Sequence, residues 1–230
     1  MIPIIVTARM TSQRLPGKPL RLIAGKPIVQ HVIENLKHVE GRPEIVLATS
    51  VEADDTPLAE WCARHGHACF RGPLDDLAAR VIEAAKNRGA EAFVRVSGDS
   101  PLIDPILISR ALQLYALGDV DLVTNVQLRT FPKGCSVEVI RIAALLEQLR
   151  RYARDQDREH VTTALYRHPE EIRIVNFTSG APVGHIQLSV DTVEDFQIVE
   201  RLLENADSRS HPLSWHEDVE IYSSLRANIY

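Results

Sequence analysis

The sequence predicts an α/β fold in which a mostly parallel β-sheet carries helices on both faces. Over the first two-thirds of the chain, short apolar runs alternate with segments whose apolar residues recur at helical spacing. This alternation is typical of repeated β–α units, in which a helix connects one parallel strand to the next. Ligands of such sheets bind outside the carboxyl ends of the strands. Polar motifs that directly follow a strand are therefore the first candidates for a functional site.

Four strands and four helices are predicted in this part of the chain. The first helix begins at Pro27, whose ring suits a first helical position, and the last begins at Pro105, with Asp104 as its N-cap. The apolar runs that predict strands cover residues 4–6, 45–48, 93–96 and 121–125, and the two remaining helical patterns cover residues 56–65 and 74–85.

The pattern changes beyond residue 130. Residues 136–140 alternate polar and apolar side chains, as a half-exposed strand does, and a charged helical stretch follows over 143–167. Two more short strands are predicted at 172–175 and 187–190. Thr192 and Asp195 then form a capping box that opens another helix, and the last stretch predicts a closing helix. One domain over residues 1–230, with an inserted arm at about 130–180, accounts for this pattern.

Composition excludes several classes of protein. The 230 residues carry 26 Lys plus Arg against 31 Asp plus Glu, a net charge of −5, which argues against a general nucleic-acid binder. No apolar run is long enough to span a membrane, and the apolar N-terminal run lacks a preceding basic region, so we expect a cytoplasmic protein without a signal peptide. The three cysteines form no C-x-x-C pair, which predicts buried free thiols.

The loop after the first strand is the most informative segment. It reads A-R-M-T-S-Q-R-L-P-G-K over residues 8–18 and gathers Arg9, Arg14 and Lys18 around the small residues Ser12 and Gly17. A triphosphate needs several cations and backbone N–H donors, and small residues allow the backbone to approach it closely. The segment matches neither the Walker A loop nor the Rossmann G-x-G-x-x-G. The alternative is a solvated basic loop, which its position at a strand end disfavours.

Two aspartates, Asp99 and Asp191, each follow a predicted strand. Magnesium binds through one or two carboxylates together with substrate phosphates and water, so two aspartates from separate strand ends would meet its needs. Gly98 precedes Asp99 and lets a ligand come close. The alternatives are a turn or helix-cap role for Asp99, although Asp104 already supplies the cap at Pro105, and an ordinary strand-ending aspartate for Asp191.

These motifs together resemble the cytidylyltransferase family, which includes spore-coat polysaccharide biosynthesis proteins and the acylneuraminate and 3-deoxy-manno-octulosonate cytidylyltransferases. The shared motifs are A-R-M-x-S-x-R-L-P-G-K-x-L, G-D-x-P-L-I-D-P and V-D-T-x-E-D, with Val193 where many relatives have proline. The spore-coat branch is the best match. The resemblance implies a Rossmann-like, GT-A-like nucleotidyltransferase fold, CTP and an anionic acceptor as partners, Mg²⁺ as cofactor and a homodimer.

The resemblance also implies roles for single residues. Arg9, Arg14 and Lys18 would bind the CTP phosphates and act in catalysis, Asp99 and Asp191 would hold the metal, and Ala8 would lie beside the base. The wider nucleotide site would include Ser12, Gly98 and the segment R-G-P-L-D-D-L-A-A-R over residues 71–80, which resembles a family segment beside the nucleotide and supplies Arg71, Asp76 and Arg80. Asp76 and Arg80 are four residues apart, so a simple helical ion pair is the alternative.

Two further motifs concern the acceptor. The segment P-x-G-x-x-V-E-V places Lys133 and Glu138 near the expected acceptor pocket, but Cys135 and Ser136 stand where relatives often have leucine and aspartate. An acidic group is therefore missing there. The motif R-E-H-V-T contains Arg158 and His160, and the resemblance places it at the dimer interface, close to the acceptor. A surface helix with an ion pair is the alternative.

The resulting expectation is a transferase that moves CMP from CTP to an acidic sugar or similar anion and releases pyrophosphate, by in-line attack on the α-phosphorus. Two alternatives stay open. One is a nucleotidyltransferase that uses UTP, GTP or ATP, or a phosphonate or phosphorylated acceptor. The other is a non-catalytic nucleotide-binding assembly protein.

Overall fold

The computed structural model describes residues 1–12, 14–152, 154, 157, 160–206 and 214–227. Seven strands form the main sheet in the order β5-β4-β1-β6-β8-β7-β9, and β2 and β3 form a separate two-stranded hairpin. The strands are β1 Ile4–Thr7, β2 Leu22–Ile23, β3 Lys26–Pro27, β4 Ile45–Ser50, β5 Ala68–Gly72, β6 Ala92–Ser97, β7 Leu122–Thr124, β8 Glu138–Arg141 and β9 Ile174–Asn176.

Helices connect the strands and follow the last of them. Within the described residues they are α1 Ile28–Leu36, α2 Thr56–Arg64, α3 Leu77–Lys86, α4 Pro105–Ala116, α5 Ile142–Tyr152, α6 Thr163–Arg167, α7 Val193–Ala206 and α8 Trp215–Ala227. The predicted N-cap of α4 is present, because the Asp104 side chain accepts a hydrogen bond from the Ile106 N–H. The capping box of α7 is present too, since the Asp195 N–H donates to Thr192 Oγ1 and Asp195 Oδ2 accepts from the Thr192 N–H.

The main sheet is mostly parallel, as predicted, but it is mixed. The strand β8 runs antiparallel to both neighbours, β6 and β7, while the other strand pairs are parallel. The prediction of a half-exposed strand here was wrong. Glu138, Val139 and Ile140 are all buried because β8 lies inside the sheet and is covered on both faces.

Two hydrophobic clusters cover the two faces of the sheet. Alternate residues of β1 divide between them: Ile4 and Val6 belong to the cluster that includes α1, α2, α4 and α7, and Ile5 belongs to the one that includes α3 and α5. This division follows from the period of two along a strand. It confirms helices on both faces, and it leaves the carboxyl ends of β1 and β6 uncovered by either layer.

Four further segments differ from their prediction. The charged stretch 143–167 is not one continuous helix, since α5 ends at Tyr152 and α6 begins at Thr163. Residues 187–190 form only an isolated bridge between Gln187 and Lys133, and neither the edge strand β5 nor the β2–β3 hairpin was predicted. The interval 130–180 contributes β8 and β9 to the main sheet. It is thus part of the sheet, and its role in dimer contacts stays a prediction. In the part of the chain that the structure describes, no helix is both long and apolar enough to cross a membrane.

Candidate active site

A cavity of about 600 Å³ opens at the carboxyl ends of β1 and β6. The loop after β1 forms one wall, the start of α3 another, and the strand ends form the floor. Its lining residues are Thr7, Ala8, Arg9, Thr11, Ser12, Arg14, Lys18, Pro19, Leu77, Arg80, Arg95, Ser97, Gly98, Asp99, His160 and Asp191. Ten of the fifteen predicted site residues are in this set, and the cavity is the place where the sequence predicts the site.

The loop after β1 is closed by a backbone hydrogen bond of its own and is held in place by a side chain from another part of the chain. Gly17 adopts a left-handed conformation, with φ of 70°, and its N–H donates to the Met10 carbonyl over 2.9 Å. The Met10 N–H in turn donates to Asp55 Oδ1 over 2.6 Å. Asp55 lies at the end of a 3-10 helix, Ala53–Asp55, after β4. A buried carboxylate therefore holds the loop against the neighbouring strand.

Asp55 was not predicted as a site residue, yet its carboxylate is fully buried and well satisfied. Oδ2 accepts from both the backbone N–H and the hydroxyl of Ser50, over 3.1 and 2.5 Å. Burial alone would raise the pKa of Asp55, but the hydrogen bonds from Ser50 and Met10 outweigh it and hold the pKa below its ordinary value. The carboxylate is therefore charged in the folded protein, and it can accept all three hydrogen bonds.

Replacing Asp55 by asparagine is expected to destabilise the protein by about 1–3 kcal/mol at neutral pH, because an amide cannot accept all three hydrogen bonds. The native pKa lies below the unfolded one, so this stability is present above the unfolded pKa and is lost as pH falls through the folded pKa. The difference from wild type should thus shrink below about pH 4. Urea unfolding across pH measures it, with the exposed neighbour Asp54→Asn as control. A pH-independent difference would contradict this prediction.

The two predicted metal ligands meet in space at the ammonium of Lys18. Lys18 Nζ lies 2.7 Å from Asp99 Oδ2 and 3.3 Å from Asp191 Oδ1, and it also donates to the Val190 carbonyl over 2.8 Å. The backbone joins the same two motifs, since the Val190 N–H donates to the Asp99 carbonyl over 2.8 Å. Arg14 approaches Asp191 Oδ1 at 3.3 Å. Three distant parts of the chain thus converge on one side of the cavity.

Gly98 allows this convergence for a reason that the sequence did not indicate. A Cβ at position 98 would lie 2.9 Å from the Ala8 Cβ and 3.0 Å from the Thr7 carbonyl oxygen. The Gly98 N–H donates to that same carbonyl over 2.9 Å. The missing side chain therefore lets the ends of β1 and β6 come together, which brings the loop and Asp99 to the same cavity.

The paired carboxylates fit a magnesium ion. The side chains of Asp99 and Asp191 are 23% and 33% exposed, both line the cavity, and one cationic group already lies within 3.3 Å of an oxygen of each. Magnesium prefers carboxylate oxygens and keeps positions for water and substrate phosphates, which the open side of the cavity provides. The chemistry and the spacing of these groups thus suit the metal that the resemblance implies.

Arg80 is the most unusual cation of the cavity. It is only 1% exposed, and two of its guanidinium nitrogens, Nε and Nη1, have no hydrogen-bond partner among the described residues. Burial, followed by the nearby charge of Arg9, lowers the pKa of Arg80 to about 10. The buried Arg80 donors are left unsatisfied next to the cavity, where an anionic ligand could satisfy them.

The other two residues of that motif do not line the cavity. Arg71 donates to the backbone carbonyls of Ser50 and Glu52 over 2.9 and 2.8 Å, so it braces the segment that carries Asp55. Asp76 is the N-cap of α3 and accepts from the Ala79 N–H over 2.8 Å. The structure gives both residues a local structural role, and contact with a nucleotide stays a prediction for each.

Of the three predicted acceptor residues that the structure describes, only His160 lines the cavity. Arg158 lies outside the described residues. Lys133 is exposed and takes part in the bridge to Gln187. Glu138 is 3% exposed and binds Arg95 Nη1 over 2.8 Å, so it stands behind an arginine that does line the cavity. The structure thus places Glu138 behind the cavity lining, and its contact with an acceptor stays a prediction.

Six lining residues were not predicted: Thr7, Thr11, Pro19, Leu77, Arg95 and Ser97. Most of them neighbour a predicted residue, so the loop and the strand ends already pointed to them. Arg95 left a clearer signal. It is a charged residue in the otherwise apolar run Phe93-Val94-Arg95-Val96, only a few positions before Gly98. An arginine inside a buried strand calls for a partner or a ligand.

A cationic loop and paired carboxylates at the carboxyl edge of an α/β sheet are the arrangement of a nucleotidyltransferase. The family model described as Cytidylyltransferase matches residues 3–227, and the chain belongs to this family. It is 30% identical to the spore coat polysaccharide biosynthesis protein SpsF of Bacillus subtilis over 215 residues, which cover 89% of this chain and 87% of that protein. The chain is therefore an enzyme, a cytidylyltransferase.

Other relatives agree on the family and the fold. A 3-deoxy-manno-octulosonate cytidylyltransferase of Geobacter sulfurreducens is 35% identical over 150 residues, 64% of this chain and 58% of that protein. A solved cytidylyltransferase of Leptospira borgpetersenii has a TM-score of 0.91 at 26% identity, with 98% of this chain and 95% of that chain covered. A CMP:2-keto-3-deoxy-manno-octonic acid synthetase, solved in complex with CTP, has a TM-score of 0.68 at 21% identity, covers 89% and 98%, and shares the fold.

Proposed function

We propose that this cytidylyltransferase transfers CMP from CTP to an anionic small-molecule acceptor, of which an acidic sugar is the first candidate, and releases pyrophosphate. The observation that carries this proposal is the meeting of Lys18, Asp99 and Asp191 at the open end of the cationic loop. The family supports CTP, and the relatives named for 3-deoxy-manno-octulosonate support an acidic sugar.

The charges of the cavity suit a triphosphate. Five cationic side chains line it, namely Arg9, Arg14, Lys18, Arg80 and Arg95, against the two carboxylates Asp99 and Asp191. Arginines bind phosphate oxygens through a planar fork of donors, and lysine acts as a point charge. We assign the phosphates to Arg9, Arg14, Lys18 and Ser12, and the region of the base to Ala8 and Gly98, with Arg80 nearby.

The reaction needs no protein nucleophile. An acceptor oxygen attacks the α-phosphorus in line with the bond to the leaving pyrophosphate, and the loop cations hold the phosphates in that geometry. Asp99 and Asp191 would hold Mg²⁺, which would neutralise charge on the phosphates when bound. Lys18 belongs to the loop and contacts both carboxylates. It can therefore fix the position of the carboxylates relative to the loop that would bind the phosphates.

The nucleotide preference is tested by thermal unfolding with CTP, UTP, GTP or ATP, each with and without Mg²⁺. At a concentration of 100 times the dissociation constant, a ligand stabilises by about 2.7 kcal/mol, which raises Tm by roughly 5–11 °C for a chain of this size. We expect this shift with CTP and Mg²⁺ and a much smaller one with the other three. An equal or larger shift with another nucleotide would contradict CTP as the donor.

A second experiment separates catalysis from binding alone. Wild-type protein with CTP and Mg²⁺ is incubated with a panel of sugar acids and phosphorylated sugars, and mass spectrometry detects CMP conjugates. A conjugate with one acceptor establishes the reaction. Stabilisation by CTP without any conjugate across the panel would favour a nucleotide-binding assembly protein.

A further inference from the structure

We propose that Arg95 recognises the anionic group of the acceptor, and that Glu138 and Tyr166 are positioning residues that hold its guanidinium towards the cavity. The proposal rests on the transfer reaction proposed above and names the cation that selects its second substrate. In this proposal Glu138 acts through Arg95 and does not contact the acceptor directly.

The first observation is the place of Arg95 in the sheet. Arg95 of β6 stands directly opposite Glu138 of the antiparallel strand β8, and its Nη1 donates to Glu138 Oε2 over 2.8 Å. The Arg95 side chain is 26% exposed and lines the cavity, whereas the Glu138 side chain is 5% exposed. The arginine therefore faces the cavity, and the glutamate holds it from behind.

The second observation is that both carboxylate oxygens of Glu138 already accept a hydrogen bond. Its Oε1 accepts from the Tyr166 hydroxyl over 2.5 Å, and that hydroxyl also lies 2.7 Å from Thr124 Oγ1. Burial and the Glu138 carboxylate raise the pKa of Tyr166, so the phenol stays protonated and donates a hydrogen bond to Glu138. Each carboxylate oxygen thus has a charged or hydroxyl donor, and the guanidinium is fixed at one nitrogen.

Stability alone does not account for this pair. The two pairs next to it in the same ladder are apolar, Phe93 opposite Ile140 and Val94 opposite Val139. Replacing a buried ion pair by packed apolar residues is often neutral or stabilising, because burying charges carries a large desolvation penalty. An ion pair kept at the one position that borders the cavity therefore points to a ligand.

The third observation is that most donors of Arg95 are unused. A guanidinium has five N–H groups. Among the described residues, Glu138 takes one of them through Nη1, and Nε has no partner. These donors form a planar fork that matches a carboxylate or a phosphate oxyanion. The arginine is thus a prepared anion ligand with its orientation set by β8 and Tyr166.

The remaining cations indicate which anion it takes. Arg9, Arg14 and Lys18 lie in the loop after β1, where the triphosphate is assigned. Arg95 lies outside that loop, on β6 beside β8. Once the triphosphate has engaged the loop, two lining arginines are left. Arg80 is only 1% exposed, so Arg95, with a partly exposed side chain, is the one that a second substrate can reach. The acceptor would therefore carry a carboxylate, phosphate or phosphonate group that reaches β6.

Binding of the acceptor can be measured without turnover. The protein is loaded with Mg²⁺ and a CTP analogue with a methylene group between the α- and β-phosphorus, and calorimetry then follows titration with 3-deoxy-manno-octulosonate, N-acetylneuraminate and phosphorylated sugars. The carboxamide of each sugar acid is the neutral comparison. We expect at least one anionic probe to bind, and Arg95→Gln to weaken it roughly 10–100-fold while the affinity for the CTP analogue stays within about twofold.

The positioning residues are tested in the same titration. Glu138→Gln and Tyr166→Phe should each weaken the anionic probe several-fold in the wild-type background, and neither should weaken it further once Arg95 is glutamine. A purely structural role would give additive losses. Arg141→Gln is the matched control, because Arg141 is also on β8, is 31% exposed and pairs with Asp119, but does not line the cavity.

Three results would overturn the assignment. The first is saturable binding of the CTP analogue by wild type without binding of any anionic probe. The second is equal binding of the probe by wild type and Arg95→Gln. The third is equal binding of a sugar acid and its carboxamide, which would show that the anionic group is not recognised. Failure of the CTP analogue itself to bind would instead reject the proposed transfer reaction, and the role of Arg95 with it.

Discussion

Replacing Asp99 by asparagine is expected to lower pyrophosphate release from CTP at least about 1,000-fold with an acceptor that wild type uses. The side chain keeps its size, but the site loses one of two anionic oxygen ligands for a divalent cation. Asp99 Oδ2 also loses its ion pair with Lys18 at 2.7 Å, so Lys18 is freed from one of its two carboxylates. The loss should appear in kcat more than in KM for CTP, because the loop cations are unchanged.

The direct readout for Asp99 is metal binding. Electron paramagnetic resonance of Mn²⁺ with CTP should show much weaker binding by Asp99→Asn than by wild type. Asp119→Asn is a suitable control, since Asp119 is an exposed partner of Arg141 on another part of the sheet. A near-normal rate in Asp99→Asn would reject the assignment of this aspartate to the metal.

Replacing Lys18 by methionine should lower both the rate of pyrophosphate release and the stability of the metal-free protein. Lys18 is 12% exposed and lies between Asp99 and Asp191, so its loss leaves two neighbouring carboxylates without their common counter-ion. We expect roughly 1–2 kcal/mol of destabilisation in EDTA, a value reduced because both carboxylates are partly open to water. Pyrophosphate release should fall at least about 100-fold.

Magnesium distinguishes this effect from a general loss of packing. Added Mg²⁺ should raise the Tm of Lys18→Met more than that of wild type, because the ion can neutralise the repulsion that the ammonium no longer neutralises. Lys26→Met serves as control, since Lys26 also pairs with a carboxylate, Glu34 at 2.9 Å, outside the cavity. Equal Mg²⁺ shifts in wild type and Lys18→Met would contradict the shared role of Lys18 and the metal.

The sequence predicted the groups of the site better than their contacts. The cations of the loop and both aspartates follow strands, which placed them at one edge of a parallel sheet. Their meeting depends on contacts between Lys18 and two aspartates that lie 81 and 173 positions further along the chain. No local pattern encodes such contacts. Asp55 was missed for a similar reason, because its local sequence is that of a residue before a helix and its partner Met10 is 45 positions away.

The same distinction explains the errors in the fold. Alternation in residues 136–140 indicated a half-exposed strand, since a polar residue usually marks the solvent side. Glu138 is instead buried because Arg95 and Tyr166 satisfy it, and both partners come from other elements. Residues 187–190 have the composition of a strand, but only Gln187 finds a bridge partner, so composition without a neighbour produced no strand.

The hydrogen bond between Val190 and Asp99 has a consequence for the order in which the protein acquires activity during translation. A nascent chain that has released residues up to Thr124 already contains the cationic loop, β1, β4, β6 and Asp99. A domain generally folds as a unit, so the released part alone does not complete the site. Asp191 emerges much later, so an incomplete chain lacks both the second carboxylate and the Val190 N–H that donates to the Asp99 carbonyl. Under the metal role proposed for Asp191, catalytic competence is reached only after residue 191 has emerged.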